Sequence, residues 1–137
     1  MAYAERTAVP FDGSVQAIIA MLRKAGADQI GQLEAGDQFA VQFTLADRMI
    51  RMRISMADQA SRRSADQIRR QRARALLLVI KAKLESIASG IETVEQAFLA
   101  NVVMADGATV HERISESLAI EYQTGAPQYG MLTGPSA

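Results

Sequence analysis

The 137-residue chain contains no cysteine, no tryptophan and a single histidine, His111. Without cysteine, it can form neither a disulfide framework nor a thiol nucleophile. One histidine leaves too few nitrogen or sulfur ligands for a zinc site within one copy of the chain. The longest run of large apolar residues, Leu76 to Ile80, is far shorter than the roughly 18 residues of a membrane span. We therefore expect no metal, no disulfide and no membrane insertion.

The sequence also lacks the motifs of catalysis and of export. It has no phosphate-binding G-x-x-x-x-G-K-[ST], no nucleophile elbow G-x-S-x-G and no His-x-x-x-His pair. His111 next to Glu112 is more typical of a surface or capping residue than of a general base. The N-terminus has neither the basic start nor the apolar middle of a secretory signal. We predict a cytoplasmic, non-enzymatic protein without a cofactor.

Hydrophobic spacing predicts one α+β domain over residues 14–122, between a flexible arm (1–13) and a flexible tail (123–137). Ser14 is the predicted N-cap of a first amphipathic helix, which Gly26 ends. The domain size is sufficient for an apolar core without covalent cross-links.

Period-two alternation predicts an antiparallel three-stranded meander after this helix. Apolar residues alternate with polar ones from Phe39 to Phe43 and again from Ile50 to Ile54, and a weaker strand covers Asp28 to Glu34. The inner face of the sheet is then apolar. The outer face is polar enough to be merely solvated.

A long helix is predicted from a cap at Ser64 to about Ser89. Its first half is rich in arginine and has little to bury. Its next segment, Ala75 to Ile80, is apolar at every position, which predicts burial on all sides of the helix. A short helix through Leu99, a β-hairpin around Asp106-Gly107 and a last helix from Glu112 to Tyr122 complete the predicted fold.

Charge is distributed unevenly along a chain whose net charge is zero. Residues 48–83 carry eleven basic and two acidic groups, a formal charge of +9, whereas residues 1–47 carry −3 and residues 84–137 carry −6. A basic block of this kind indicates a polyanionic partner. The alternative is that the acidic flanks fold over the block and neutralise it.

Four basic residues of the long helix form a predicted stripe. Arg63, Arg70, Arg74 and Lys81 lie within about 40° of one another around the helix and extend over roughly 27 Å. Four phosphate contacts would give a salt slope of about −3.6 on duplex DNA. The side chains expected to help them are Arg69, Arg72, Arg51 and Arg53. With few aromatic residues for base stacking, we expect contacts to the nucleic-acid backbone.

The stretch Val79 to Ile114 resembles a family of small uncharacterised proteins encoded by tailed phages and prophages. The shared features are an AKLE-x-x-x-x-G-I core at Ala82 to Ile91, a Gly-Ala-Asp at Gly26 to Asp28, the alternating strands and the Arg-rich helix. The resemblance implies a phage setting and no site residues. The order of helix, three strands and helix is also similar to the double-stranded RNA-binding domain, whose second helix sets its basic N-terminus on phosphates.

Three hypotheses for function follow. The first is a phage-encoded accessory protein that binds nucleic acid, duplex DNA above all, through the Arg-rich helix. The second is a protein-binding adaptor or an anti-CRISPR-like inhibitor of a host protein or ribonucleoprotein defence complex. The third is a homodimer formed through the apolar part of the long helix, Leu76 to Ile80.

Overall fold

The structure, a computed structural model, describes residues 10–56 and 64–133. The elements along the chain are α1 (Phe11–Lys24), β1 (Asp28–Ala35), β2 (Gln38–Leu45), β3 (Arg48–Ser55), α2 (Ala65–Ala88), α3 (Val94–Phe98) and α4 (Val110–Thr124), with 3₁₀ turns at Leu99–Asn101 and Met131–Thr133. The strands form one antiparallel sheet in the order β1-β2-β3. The α+β class and the meander predicted from the sequence are therefore confirmed.

The core lies between the inner face of the sheet and the helices α1 and α2. Phe39, Val41 and Phe43 alternate along β2 toward this side and are at most 1% exposed. Val15, Ile18 and Leu22 of α1 cover them together with Leu76, Leu77 and Ile80 of α2. Burying each large apolar side chain stabilises the fold by roughly 1.5–3 kcal/mol, so this layer supplies most of the driving force.

The connection between β2 and β3 is a two-residue turn formed by Ala46 and Asp47. Both residues have positive φ, 50° and 59°, as the tight turns that fit the twist of a β-hairpin require. The strands then pair without interruption from Leu45 with Arg48 to Gln38 with Ser55.

The first helix begins earlier than the sequence predicted. It starts at Phe11 with Pro10 at the N-cap position, and Ser14 is fully buried inside the helix, so the prediction of Ser14 as N-cap was wrong. Phe11 packs edge-on against Phe39 with ring centroids 5.1 Å apart, and this distant contact fixes the start. Residues 11–13 are thus helical rather than part of a flexible arm, and the rest of the predicted arm, residues 1–9, lies outside the described residues.

The long helix α2 has the predicted cap but not the predicted burial. Ser64 and Gln67 form a reciprocal capping box, in which each side chain accepts the other residue's backbone N–H. Leu78 is only half-buried and Val79 is 44% exposed. Burial on all sides was wrong, because the sheet and α1 cover one side of α2.

The C-terminal region differs from the prediction in its strands. The predicted hairpin is reduced to one isolated bridge, Val103 with Thr109, because α4 already begins at Val110. A second bridge, Ile50 with Val102, joins this segment to β3. Helix α4 continues to Thr124 and is followed by Gly125 at φ 71°. Part of the predicted flexible tail is therefore ordered structure, while residues 134–137 lie outside the described residues.

No helix in residues 10–56 and 64–133 combines the length and the apolar composition needed to cross a membrane.

Candidate nucleic-acid interface

Three of the four residues of the predicted stripe lie on one side of α2. Arg70, Arg74 and Lys81 share this side, within about 40° at 100° per residue, and we call it the basic face. Lys81 is exposed, and Arg70 and Arg74 are half-buried. The fourth residue, Arg63, lies outside the described residues. The described part of the stripe spans about 16 Å at 1.5 Å per residue.

The contacts of these residues differ. Arg70 forms an ion pair with Asp66, one helical turn earlier, and Arg74 also has a contact within the chain. Lys81 has no hydrogen-bond or ion-pair partner among the described residues. The Asp66 carboxylate is 72% exposed, and an exposed pair of this spacing contributes only about 0.3–0.5 kcal/mol. A phosphate can therefore displace it.

Arg69 and Arg72 do not extend the basic face. Arg69 forms an ion pair with Glu34 of β1, and its guanidinium carbon lies 4.3 Å from the centroid of the Phe11 ring. It thus helps to fasten α1 and β1 to α2. Arg72 lies about 160° around the helix from both Arg70 and Arg74. Arg72 has no described partner, but it faces a different direction from the basic face.

Arg51 and Arg53 lie on the other side of the sheet from α2. They alternate along β3 with Ile50 and Met52, which face the core, so both arginines are on the outer face. Arg51 donates to the side chain of Gln42 and to the Gly107 carbonyl at 3.0 and 2.9 Å. The expectation that they join the same contact surface as α2 was therefore wrong.

The acidic flanks neutralise part of the basic block. Glu95 pairs with Arg48 at 3.0 Å and Glu112 with Arg53 at 2.9 Å, and Glu34 pairs with Arg69. None of these three acids contacts the basic face of α2. The neutralisation by these three acids therefore reaches the sheet and the inner edge of α2. On the basic face itself, Glu85 of the acidic flank lies one helical turn after Lys81.

Glu112 is held in its ionised form at the start of α4. The Thr109 backbone N–H donates to Glu112 Oε1 at 2.8 Å. This hydrogen bond is the main cause of a lowered Glu112 pKa, and the charges of Arg53 and Arg51 lower it further against the opposing effect of burial. The ionised Glu112 pairs with Arg53 on the outer face of the sheet.

A trough lies on the outer face of the sheet and was not predicted from the sequence. Two adjoining cavities of about 320 Å³ each share Leu33, Ala40 and Arg53, with Gly31, Arg51 and other strand residues around them. Leu33 is 65% exposed there. A bulge between Asp28 and Gly31 shifts the register of β1 and moves Leu33 from the inner to the outer face. Only the three-residue spacing of Ile30 and Leu33, which breaks alternation, hints at this in the sequence.

The described residues contain no group of three or more His, Cys, Asp or Glu side chains placed to hold a metal ion. His111 is exposed in the first turn of α4 and lines a smaller cavity of about 190 Å³ with Arg51 and Arg53. Its role stays a prediction.

Comparison of the chain with protein-family models, with curated protein sequences and with solved structures finds no match. The resemblance to the phage family therefore remains an expectation from the residues quoted above.

Proposed function

We propose that the protein binds the backbone of duplex nucleic acid, without reading bases, through the basic face of α2. The accessory role in a phage or prophage is part of the same proposal. The observation that carries it is the separation of charge on α2. Arg70, Arg74 and Lys81 share one side of the helix, while three acids of the flanks, Glu95, Glu112 and Glu34, are bound to Arg48, Arg53 and Arg69 elsewhere.

The geometry favours phosphate contact over base contact. Guanidinium groups bind phosphate oxygens with two parallel hydrogen bonds. The two phenylalanines of β2, Phe39 and Phe43, are buried in the core. Helix α2 contains no aromatic residue. Base stacking therefore does not contribute along this helix, and sequence preference is expected to be weak.

The test is binding of a labelled duplex measured by fluorescence anisotropy over a series of salt concentrations. Three phosphate contacts predict a slope of log K against log salt of about −2.7. The triple variant Arg70→Gln, Arg74→Gln, Lys81→Gln removes them, and we expect binding to fall by at least about 100-fold at low salt.

A control removes two basic charges from residues of β3 that lie outside the basic face of α2 and form ion pairs with Glu95 and Glu112. Arg48→Gln with Arg53→Gln is expected to bind the duplex nearly as well as the unaltered protein, apart from a small general effect of net charge. Circular dichroism checks that each variant is folded. Binding that persists in the triple variant, or that is lost equally in the control, contradicts the proposal.

The trough on the outer face favours a second candidate function, docking of an acidic segment of a host protein. Leu33 offers exposed apolar surface and Arg51 and Arg53 offer positive charge beside it, which suits an acidic partner with an apolar side chain. Co-purification of a host protein that resists nuclease, is lost with Leu33→Glu and is retained in the α2 triple variant would support it. Loss in the triple variant would assign that partner to α2 instead.

A further inference from the structure

Helix α4 has an outward side that the described part of the chain leaves open. Val110, Ser117 and Ile120 lie half-buried on the inner side of α4, and the residues opposite them around the helix are exposed. Leu118 and Tyr122 are 41% and 87% exposed there. The exposed residues form a stripe about 100° wide and roughly 16 Å long. We call it the α4 stripe, formed by His111, Ser115, Leu118, Ala119 and Tyr122.

Acidic residues border the α4 stripe on both edges. Glu112 and Glu116 follow one edge, and the half-buried Glu121 lies about 60° beyond the other. Glu112 is paired with Arg53. Neither Glu116 nor Glu121 has an ion-pair partner among residues 10–56 and 64–133. Two carboxylates beside the stripe are therefore available to a partner.

The one arginine of α4 does not offset these acids, and the helix contains no lysine. Arg113 is turned to the inner side, where it lies 2.9 Å from the Asp106 carboxylate and donates to the Leu132 carbonyl at 2.7 Å. The surrounding region, residues 84–137, has a formal charge of −6. Such a surface repels phosphate, so the α4 stripe is not part of the duplex interface proposed above.

We infer that the α4 stripe binds a basic amphipathic helix of another protein. The apolar side of that helix packs against Leu118 and Tyr122, and lysine or arginine on both of its edges faces Glu116 and Glu121. The small side chain of Ala119 lets the two helix axes approach to about 8 Å. The length of the stripe corresponds to about three turns of the partner helix.

Charge decides against a second copy of this chain as the occupant. Because acids border both edges of the α4 stripe, pairing of two such stripes places acid beside acid, whether the helices are parallel or antiparallel. A helix with basic edges instead gains an attraction on each side of its apolar contact.

The first experiment uses a synthetic helical peptide of leucine, lysine and alanine, with leucine along one side and lysine on both edges of that side. A control peptide has the same composition in an order that scatters leucine around the helix. Binding is measured by isothermal titration calorimetry at about 150 mM salt, where contacts between distant exposed charges are screened. We expect the striped peptide to bind at least about 10-fold more tightly. Equal binding of the two peptides overturns the inference.

A double variant tests the apolar part of the stripe. Leu118→Ser with Tyr122→Ser should weaken binding of the striped peptide by at least about 10-fold, and circular dichroism checks that the protein is folded. The matched control, Tyr129→Ser with Leu132→Ser, removes a tyrosine and a leucine outside α4 that are 93% and 54% exposed. It should bind like the unaltered protein. Equal binding by both variants contradicts the site.

A second double variant tests the acidic edges. Glu116→Gln with Glu121→Gln should weaken binding of the striped peptide by about 3-fold to 10-fold and reduce its dependence on salt. The control Asp28→Asn with Asp47→Asn removes the same charge at two exposed residues outside α4 and should have little effect. An equal loss in both would show attraction by net charge alone and overturn the inference.

Hydrogen exchange and mass separate this inference from its alternatives. The bound peptide should slow exchange of the α4 amides and leave those of α2 unchanged, and protection of α2 instead overturns the inference. So does a mass by sedimentation equilibrium that rises without peptide and no longer rises in Leu118→Ser with Tyr122→Ser, because it assigns the stripe to a second copy. All these measurements are made without nucleic acid, so the duplex titration decides the proposed function independently.

Discussion

The layer of α1, the sheet and α2 is held together by buried area, whereas the C-terminal region from α3 onward is held by individual contacts. The buried apolar residues of the C-terminal region are Ala97, Phe98 and Val102, and all the others belong to the layer. Helix α4 has no buried residue. Local stability follows burial. The same kind of substitution should therefore change the stability of the two regions by different amounts.

The largest effect is expected from Phe98→Ala. The Phe98 ring is fully buried, and its centroid lies 5.5 Å from that of Phe43, so it is the main apolar link between the two regions. Removing it should lower the free energy of unfolding by about 3–5 kcal/mol, measured by urea denaturation. The neighbouring Leu99→Ala, at a residue 50% exposed, should change it by less than about 0.5 kcal/mol. Similar values for both variants would contradict the comparison.

An intermediate effect is expected from the helix caps, because the same motif starts a helix in each region. Thr109 caps α4 and Ser64 caps α2, each in a reciprocal capping box. Substitution by alanine should cost about 0.5–2 kcal/mol in each case.

The location of the loss should differ between the two cap variants. Hydrogen exchange in Thr109→Ala should accelerate across α4 and leave α2 protected, since no buried side chain anchors α4. In Ser64→Ala it should accelerate in the first turn of α2 and stop at the buried Ile68. Uniform acceleration across the whole molecule in both variants would show that the regions unfold together.

The smallest effect is expected from acid. The pKa of Glu112 lies below its ordinary 4.5, and that of Asp106 lies below 3.8, the latter through hydrogen bonds from the Ala108 backbone and the Arg113 side chain. Because the unfolded chain binds these protons first, the stabilisation is present above the ordinary values and is lost as pH falls through the lowered ones. Urea midpoints from about pH 7 to about pH 3 should show this loss. The loss of stability with falling pH should be smaller in Glu112→Gln. If the midpoints of this variant depended on pH as those of the unaltered protein do, Glu112 would not be a source of the loss.

Features set by nearby residues were predictable from the sequence. The capping residue Ser64 and the alternation in β2 and β3 depend on positions a few residues apart, and both are confirmed. The start of α1 depends on Phe11 meeting Phe39, far along the chain, and the predicted N-cap at Ser14 failed for that reason. The hairpin failed because α4, capped at Thr109, takes the residues of its second strand.

In the candidate site too, features set by nearby residues were predictable and contacts between distant residues were not. Helical spacing alone brings Arg70, Arg74 and Lys81 to one side of α2. The sequence also held the information that Arg51 and Arg53 lie elsewhere, since the apolar sides of the sheet and of the long helix must meet. The ion pair of Glu34 with Arg69 was beyond sequence reasoning, because the bulge in β1 decides which face Glu34 occupies.

The turn at Ala46 and Asp47 has a practical consequence. Two consecutive residues with side chains adopt left-handed backbone there, a conformation that costs roughly 1–2 kcal/mol for each residue other than glycine. The turn geometry fits the register of the hairpin, and the buried pairing of Phe43 with Ile50 helps to offset the strain of these two residues. A longer, glycine-containing connection should relieve this strain, which makes the turn a suitable place to insert a peptide tag or a fluorescent reporter.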